Sequence, residues 1–312
     1  GLRFAPAQVV VSNGAKECLY NAFQVILNPG DEVIIISPYW LTYPEQVKMA
    51  GGVPVFVQAK EENDFEPALA DLEKAVSERT RAIIVNNPSN PCGNLYSRHS
   101  LEEIAGFAKA HDLYIISDEI YDELVYGKEA ISIATLSEDA LERTIIINGA
   151  SKAYAMTGWR IGYMIAPPAV AKLASSYQGH STSNACSISQ YATLAAMRGP
   201  QEDLEKMVAI FEQRAKLIYR LINEIPGVSC RMPGGAFYVF VNVEGLYGKK
   251  YRGQKVSGSV QFSEVLLQEK LVAVVPGIAF GADGYIRLSY ATSEENIEKG
   301  VSRLREFCAE LE

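Results

Sequence analysis

The sequence predicts an α/β protein, a mostly parallel sheet flanked by helices and followed by a smaller α+β domain at the C-terminal end. Two observations predict it. Through the first half of the chain, short runs rich in Val and Ile, bounded by turn residues, alternate with helix-like stretches. At 202–225 this rhythm gives way to one long helical pattern rich in charge and in Leu and Ile, and the spacing of strands and helices changes beyond it.

The individual elements follow from these patterns. Residues 9–11, 32–36, 53–57, 82–85, 113–116 and 144–147 read as buried strands, with helices near 15–27, 67–76 and 100–110 between them. Strands at 236–241 and 285–289 and helices near 260–270 and 294–310 follow the long helix. That helix reads as the link between a large domain, 1–205, and a small one, 206–312. The segment 245–258 is polar and rich in Gly and Lys, which predicts a surface loop. No internal repeat or low-complexity segment is visible.

Composition narrows the function. The chain has 312 residues, 48% of them apolar and 21% charged, as in a globular enzyme with a sizeable core. The net charge of -8 is spread along the chain and leaves no basic stripe, which argues against a nucleic-acid surface. The five cysteines (Cys18, Cys92, Cys186, Cys230, Cys308) are scattered, with no C-x-x-C pair. That excludes a disulfide framework or zinc site as the leading reading, so no metal is expected and a reducing, cytoplasmic setting fits. No apolar run is long enough to span a bilayer. The chain opens on Gly1 and enters a strand-like run almost at once, which reads as though an N-terminal segment, with any targeting peptide, is absent.

In open α/β sheets, ligands lie beyond the carboxyl ends of the strands, and the residues after each strand here are polar. Ser12-Asn13-Gly14-Ala15-Lys16 precedes a helix whose free N–H groups favour an anion. Alone it reads equally as a Gly turn with a solvated Lys, although Lys16 opposes the helix dipole unless an anion is bound. Trp40, in Ser37-Pro38-Tyr39-Trp40, offers either core packing or a flat face for an aromatic ligand. Asn90 stands between prolines in Asn86-Asn87-Pro88-Ser89-Asn90-Pro91-Cys92-Gly93, as turn chemistry or as a rigid hydrogen-bond donor.

Asp118 follows an apolar run directly in Ser117-Asp118-Glu119-Ile120-Tyr121. It is either a helix N-cap or a buried carboxylate that holds a proton on a ligand nitrogen. Lys152, in Asn148-Gly149-Ala150-Ser151-Lys152, is a candidate imine-forming amine, since it stands just past a buried strand among small residues. Arg160, in Thr157-Gly158-Trp159-Arg160-Ile161-Gly162, suits a phosphate. Arg287, inside the strand pattern Tyr285-Ile286-Arg287-Leu288-Ser289, needs either an acid partner or a substrate carboxylate.

Taken in order, S-N-G-A-K, P-Y-W, N-P-C-G, D-E-I-Y, S-K-A-Y-A-M-T-G-W-R and I-R-L-S-Y resemble the class I aminotransferases, fold-type-I enzymes that use pyridoxal phosphate (PLP). The similarity runs essentially from end to end, and within the class it is to the prokaryotic-type aspartate aminotransferases, a group that includes prephenate aminotransferases. The resemblance implies that Lys152 carries PLP as a Schiff base and moves the proton from the substrate Cα. Asp118 would keep the pyridine nitrogen protonated, Tyr121 and Asn90 would bond the ring phenolate oxygen, and Trp40 would stack on the ring. The backbone N–H groups of Ala15 and Lys16, after Gly14, would hold the phosphate with Arg160 and a hydroxyl from Ser151. Arg287, helped by Asn90, would clamp the α-carboxylate, and Lys16 would reach the distal one.

The resemblance also implies a homodimer in which Ser183 and Asn184 enter the neighbour's site. The substrates would be aspartate or glutamate with 2-oxoglutarate or oxaloacetate, or prephenate as acceptor. Three departures stand out. Gly149 takes the first position of the family's Ser-x-Ser-Lys, and N-P-C-G replaces N-P-T-G. The family's N-terminal segment, with a Gly loop, a Tyr that reaches the partner's phosphate and part of the small domain, has no counterpart here. Two other readings keep the resemblance: a PLP-dependent carbon–sulfur β-lyase, and the ligand-sensing domain of a regulator. The intact set Lys152, Asp118, Tyr121 and Arg287 speaks against the regulator, because a sensor needs no substrate clamp.

Overall fold

A computed structural model describes residues 2–312. The strands β1 (Val9–Ser12), β2 (Glu32–Ser37), β3 (Val53–Gln58), β4 (Thr80–Asn86), β5 (Tyr114–Asp118), β6 (Thr144–Gly149) and β7 (Gly162–Ile165) form one sheet in the order β1-β7-β6-β5-β4-β2-β3. Pairings β2–β3, β2–β4, β4–β5 and β5–β6 are parallel, while β7 runs antiparallel to both β1 and β6. Six of the seven strands therefore point the same way, and their carboxyl ends open along one edge.

Both faces of this sheet are covered. Ile34, Ile83, Val85 and Ile115 point to the side packed by α3 (Leu69–Ala75) and α4 (Arg98–Ala110). Their neighbours Val33, Ile35, Ala82, Ile84, Ile116, Ile145 and Ile147 face α1 (Ala15–Ile26), α2 (Thr42–Met49) and α7 (Pro168–Gly179). This division follows the two-residue period of a strand. Burial on both sides explains why these strands read as unbroken Val/Ile runs. Helices α5 (Glu138–Arg143), α6 (Ala150–Ala153) and α8 (Ser187–Arg198) complete this part.

The long helix is α9 (Glu202–Asn223). Beyond it lie β8 (Ser229–Cys230), β9 (Tyr238–Asn242), β10 (Lys250–Tyr251), β11 (Gln254–Lys255), α10 (Ser259–Lys270), β12 (Val275–Pro276), β13 (Tyr285–Ser289) and α11 (Glu294–Ala309). An antiparallel sheet of order β12-β13-β9-β8 packs on α9, α10 and α11 as a smaller domain. The segment 245–258 corrects the expectation of a plain loop. It contains the hairpin β10–β11, whose Tyr251 is buried against Phe307 at a centroid distance of 5.1 Å. An aromatic anchor in a polar stretch outweighs the Gly and Lys signal there.

Phe240 joins the two sheets. It stands on β9 opposite Arg287, stacks on Tyr285 with centroids 4.7 Å apart, and lies in the same apolar cluster as Ile34 and Ile36 of the large sheet. Truncating a buried Phe typically costs about 3–5 kcal/mol. Phe240→Ala should therefore lower the unfolding temperature well below that of the parent protein, whereas Phe56→Ala, at a half-exposed ring on the sheet edge, should lower it far less. Thermal unfolding followed by circular dichroism checks this.

Candidate active site

The open edge of the large sheet is where the predicted residues converge. Asp118 ends β5, and Asn86 ends the neighbouring β4. Gly149 ends β6 and begins the turn into α6, which raises Lys152 into the same space. The turn Asn13-Gly14 links β1 to α1. A cavity of 310 Å³ is lined by Ala15, Lys16, Trp40, Asn90, Asp118, Tyr121, Ser151, Lys152, Arg160 and Arg287, all of them predicted, together with Asn86, Tyr43 and Tyr238. Its size suits a small cofactor with a small substrate. Ser183 and Asn184 are exposed and do not line it.

Close backbone approach shapes the end of the cavity at α1. The first N–H groups of a helix have no partner inside it, and the turn that opens α1 lies against Arg160. The Arg160 guanidinium donates to the Thr157 carbonyl at 2.8 Å and lies over Gly14, where an added Cβ would fall 2.4 Å from Nη2. Gly14 also has φ 85°, a conformation that favours glycine. A Cβ on Gly162 would meet the Ala15 nitrogen at 2.2 Å, and one on Gly149 would meet the Ile161 carbonyl at 2.7 Å. The glycine at the family's first serine position is thus required by packing. Free N–H groups, Ser151 and an Arg form a cradle for a phosphate.

Electrostatics divides the cavity. Asp118 is 3% exposed, and burial pushes its carboxyl up to about 6 despite donors that favour the charged form. Those donors are the Tyr43 hydroxyl at 2.7 Å and the Ile120 N–H at 3.3 Å. The Asp118 side chain therefore sits at the end of a strand and caps the following turn. Burial, then the charges of Arg160 and Arg287, hold the Lys152 amine below its usual range. A lowered Lys releases its proton more readily and becomes a nucleophile or base. Its Nζ lies 5.5 Å from the Phe237 ring centre and 5.9 Å from that of Tyr121.

Arg287 is half-buried, 4.3 Å above the Tyr238 ring and 4.9 Å from the Phe280 ring. Its Nη1 donates to Oδ1 of Asn90 at 2.7 Å. Among the described residues no carboxylate forms an ion pair with it, so the acid partner considered from sequence is absent there. Lys16 lies 4.8 Å over the Trp40 ring, a cation–π contact that helps it tolerate its place in the first turn of α1. Tyr121 bonds the Tyr238 hydroxyl at 3.2 Å. Sequence reasoning passed over Tyr43, Tyr238 and Phe237, which look like ordinary core aromatics in the chain. It also passed over Gln178, whose buried amide ties Ser12, Asn21 and the Val11 carbonyl together and so fixes β1, α1 and α7.

A family model described as aminotransferase class I and II matches residues 1–304. The chain belongs to this family. It is 47% identical over 308 residues to an aspartate aminotransferase of Geobacillus stearothermophilus, covering 98% of this chain and 77% of that one. It is 44% identical over 314 residues to an aspartate/prephenate aminotransferase of Cereibacter sphaeroides, covering 100% and 78%. Among solved structures, the aspartate aminotransferase from Rhizobium meliloti superposes with a TM-score of 0.97 at 38% identity, over 100% of this chain and 79% of that one. Enzymes of this family use PLP, and the cradle, the buried Asp118 and the lowered Lys152 fit that cofactor. Among the described residues no group of three His, Cys, Asp or Glu could hold a metal, and no helix is long and apolar enough to cross a membrane.

The buried carboxyl of this aminotransferase has a consequence for stability. Its folded-state pKa of about 6 lies above the ordinary value of about 3.9. Between those values the folded protein keeps a proton that the unfolded chain has released, so stability falls as pH rises through that window and the cost is complete above it. Asp118→Asn removes a cost of about 3 kcal/mol at pH 8. The cofactor-free variant should unfold at a higher temperature than the parent at pH 8, and the difference should shrink toward pH 4 and vanish about one unit below it. Differential scanning calorimetry at the two pH values checks it.

Proposed function

We propose that this chain transfers the amino group of L-aspartate or L-glutamate to a 2-oxo acid, 2-oxoglutarate or oxaloacetate, with prephenate as a further acceptor, using PLP held by Lys152. The observation that carries this reading is Arg287. A half-buried guanidinium, stacked on aromatics, aimed by Asn90 and without an acid partner among the described residues, is a ready clamp for a substrate carboxylate. A second cation, Lys16, lines the same cavity, which favours a substrate with two carboxylates. The names of the relatives agree with that choice and put amino transfer ahead of elimination.

Bound PLP supplies a protonated pyridine ring that accepts the electrons of the cleaved Cα–H bond. Asp118 keeps the ring nitrogen protonated by its opposite charge. Gly14, the backbone N–H groups of Ala15 and Lys16, Ser151 and Arg160 would hold the phosphate. Tyr121 and Asn90 would donate to the ring oxygen, and Trp40 would stack on the ring. Arg287 would hold the substrate by its carboxylate so that the Cα–H bond is presented to Lys152, whose amine would take the proton from Cα. The division at 205/206 puts Arg287 on the small domain and Lys152 on the large one, so relative domain placement sets the distance between clamp and base. The active form is a homodimer in which the exposed Ser183 and Asn184 reach the neighbour's cavity.

Three variants test the assignment on PLP-loaded protein mixed with one amino acid at a time, followed by the cofactor's visible absorption. Lys152→Ala should abolish conversion of the cofactor to its amine form by any amino acid. Arg287→Lys, which loses the bidentate fork, should lower kcat/KM by on the order of 10²-fold for all amino acids. Lys16→Ala should raise KM for aspartate roughly tenfold and leave alanine unaffected. Equal losses for aspartate and alanine in Lys16→Ala would remove Lys16 from substrate recognition.

A further inference from the structure

Tyr43 and Asp118 come from different elements, α2 and the end of β5, and meet through a 2.7 Å hydrogen bond between side chains that are 2% and 3% exposed. Tyr43 also stands edge-on to Trp40, with centroids 5.5 Å apart and planes at 85°. One side chain thus touches both the carboxyl placed at one end of the cavity and the aromatic face placed along its wall. Burial and the adjacent Asp118 keep the Tyr43 hydroxyl protonated far into the alkaline range, so it is a standing donor. The remaining oxygen of Asp118, Oδ1, takes the Ile120 N–H.

We infer that Tyr43 is a positioning residue for the proposed reaction, its hydroxyl holding Asp118 charged and aimed into the cavity while its ring fixes the wall of Trp40. The inference rests on the reading of Asp118 as the partner of the cofactor's ring nitrogen. The groups that face the pair are Lys152 from α6, Cys18 from α1, Tyr96, and Glu119 and Tyr121 from the turn after Asp118 itself. Lys152 is the cation in this set. The Tyr43 O–H is the side-chain donor that bonds the carboxylate directly and favours it over the neutral acid.

The test uses Tyr43→Phe, which keeps the ring and removes the donor. In cofactor-free protein labelled with ¹³C-carboxyl aspartate, the Asp118 signal, assigned by its loss in Asp118→Asn, should titrate about one pH unit higher than in the parent. In the PLP-loaded variant the acid limb of kcat should move the same way, with KM for the amino acid little changed. Incorporating 3-fluorotyrosine at position 43, a stronger donor of the same shape, should move the titration down, which keeps the test open if the Phe variant folds poorly. An Asp118 titration unmoved by either change, or a kcat lowered equally at every pH, overturns the inference. Failure of the protein to bind PLP would overturn the reading of the site instead, and the cofactor-free titration would still decide the role of Tyr43.

Discussion

A carboxyl group buried at the carboxyl end of a central parallel strand is the constraint around which the site is arranged. Asp118 sits where a charge is costly, and each neighbour answers that cost: a tyrosine hydroxyl, a backbone N–H and the charge of Lys152. The same sheet direction that delivers Asp118 delivers the turn at Gly14 and the turn into α6, because β1, β5 and β6 share one orientation. Parallel strands need crossovers on the sheet faces, so the edge at their carboxyl ends is left free for polar side chains.

Charge in the cavity is graded. Arg160 and Arg287 press on Lys152 and lower its proton affinity, while Asp118 opposes them. A buried amine that holds its proton less tightly than usual is suited to taking a proton from carbon near neutral pH. The small sheet contributes the third element. Arg287 stands opposite Phe240, which is rooted in the core of the large sheet.

Much of this was legible in the chain. Buried parallel strands announce themselves as Val/Ile runs, and the residues that follow them meet in one cavity. Helices α1, α4, α9, α10 and α11 stand within a few residues of their expected bounds. What escaped has physical reasons. Strand β7 is four residues long and opens on a glycine, so it read as a continuation of the Arg160 motif. Helix α8 buries Ser189 and Thr193 and exposes Ile188, Tyr191 and Leu194, which removes the apolar stripe that marks a helix against a core. Tyr43 lies in an eight-residue helix with Pro44 in its first turn, and its partner is 75 residues away. Spacing along the chain does not carry a bond of that kind.

The central claim is that Lys152, and not Lys16, is the cavity amine that reacts with a bound aldehyde. The direct measurement is borohydride reduction of the PLP-loaded protein, followed by digestion and mass spectrometry of the labelled peptide. The account predicts a single pyridoxyl mark, on Lys152, at one equivalent per chain. A mark on Lys16 or on a surface lysine, or none at all, would contradict it.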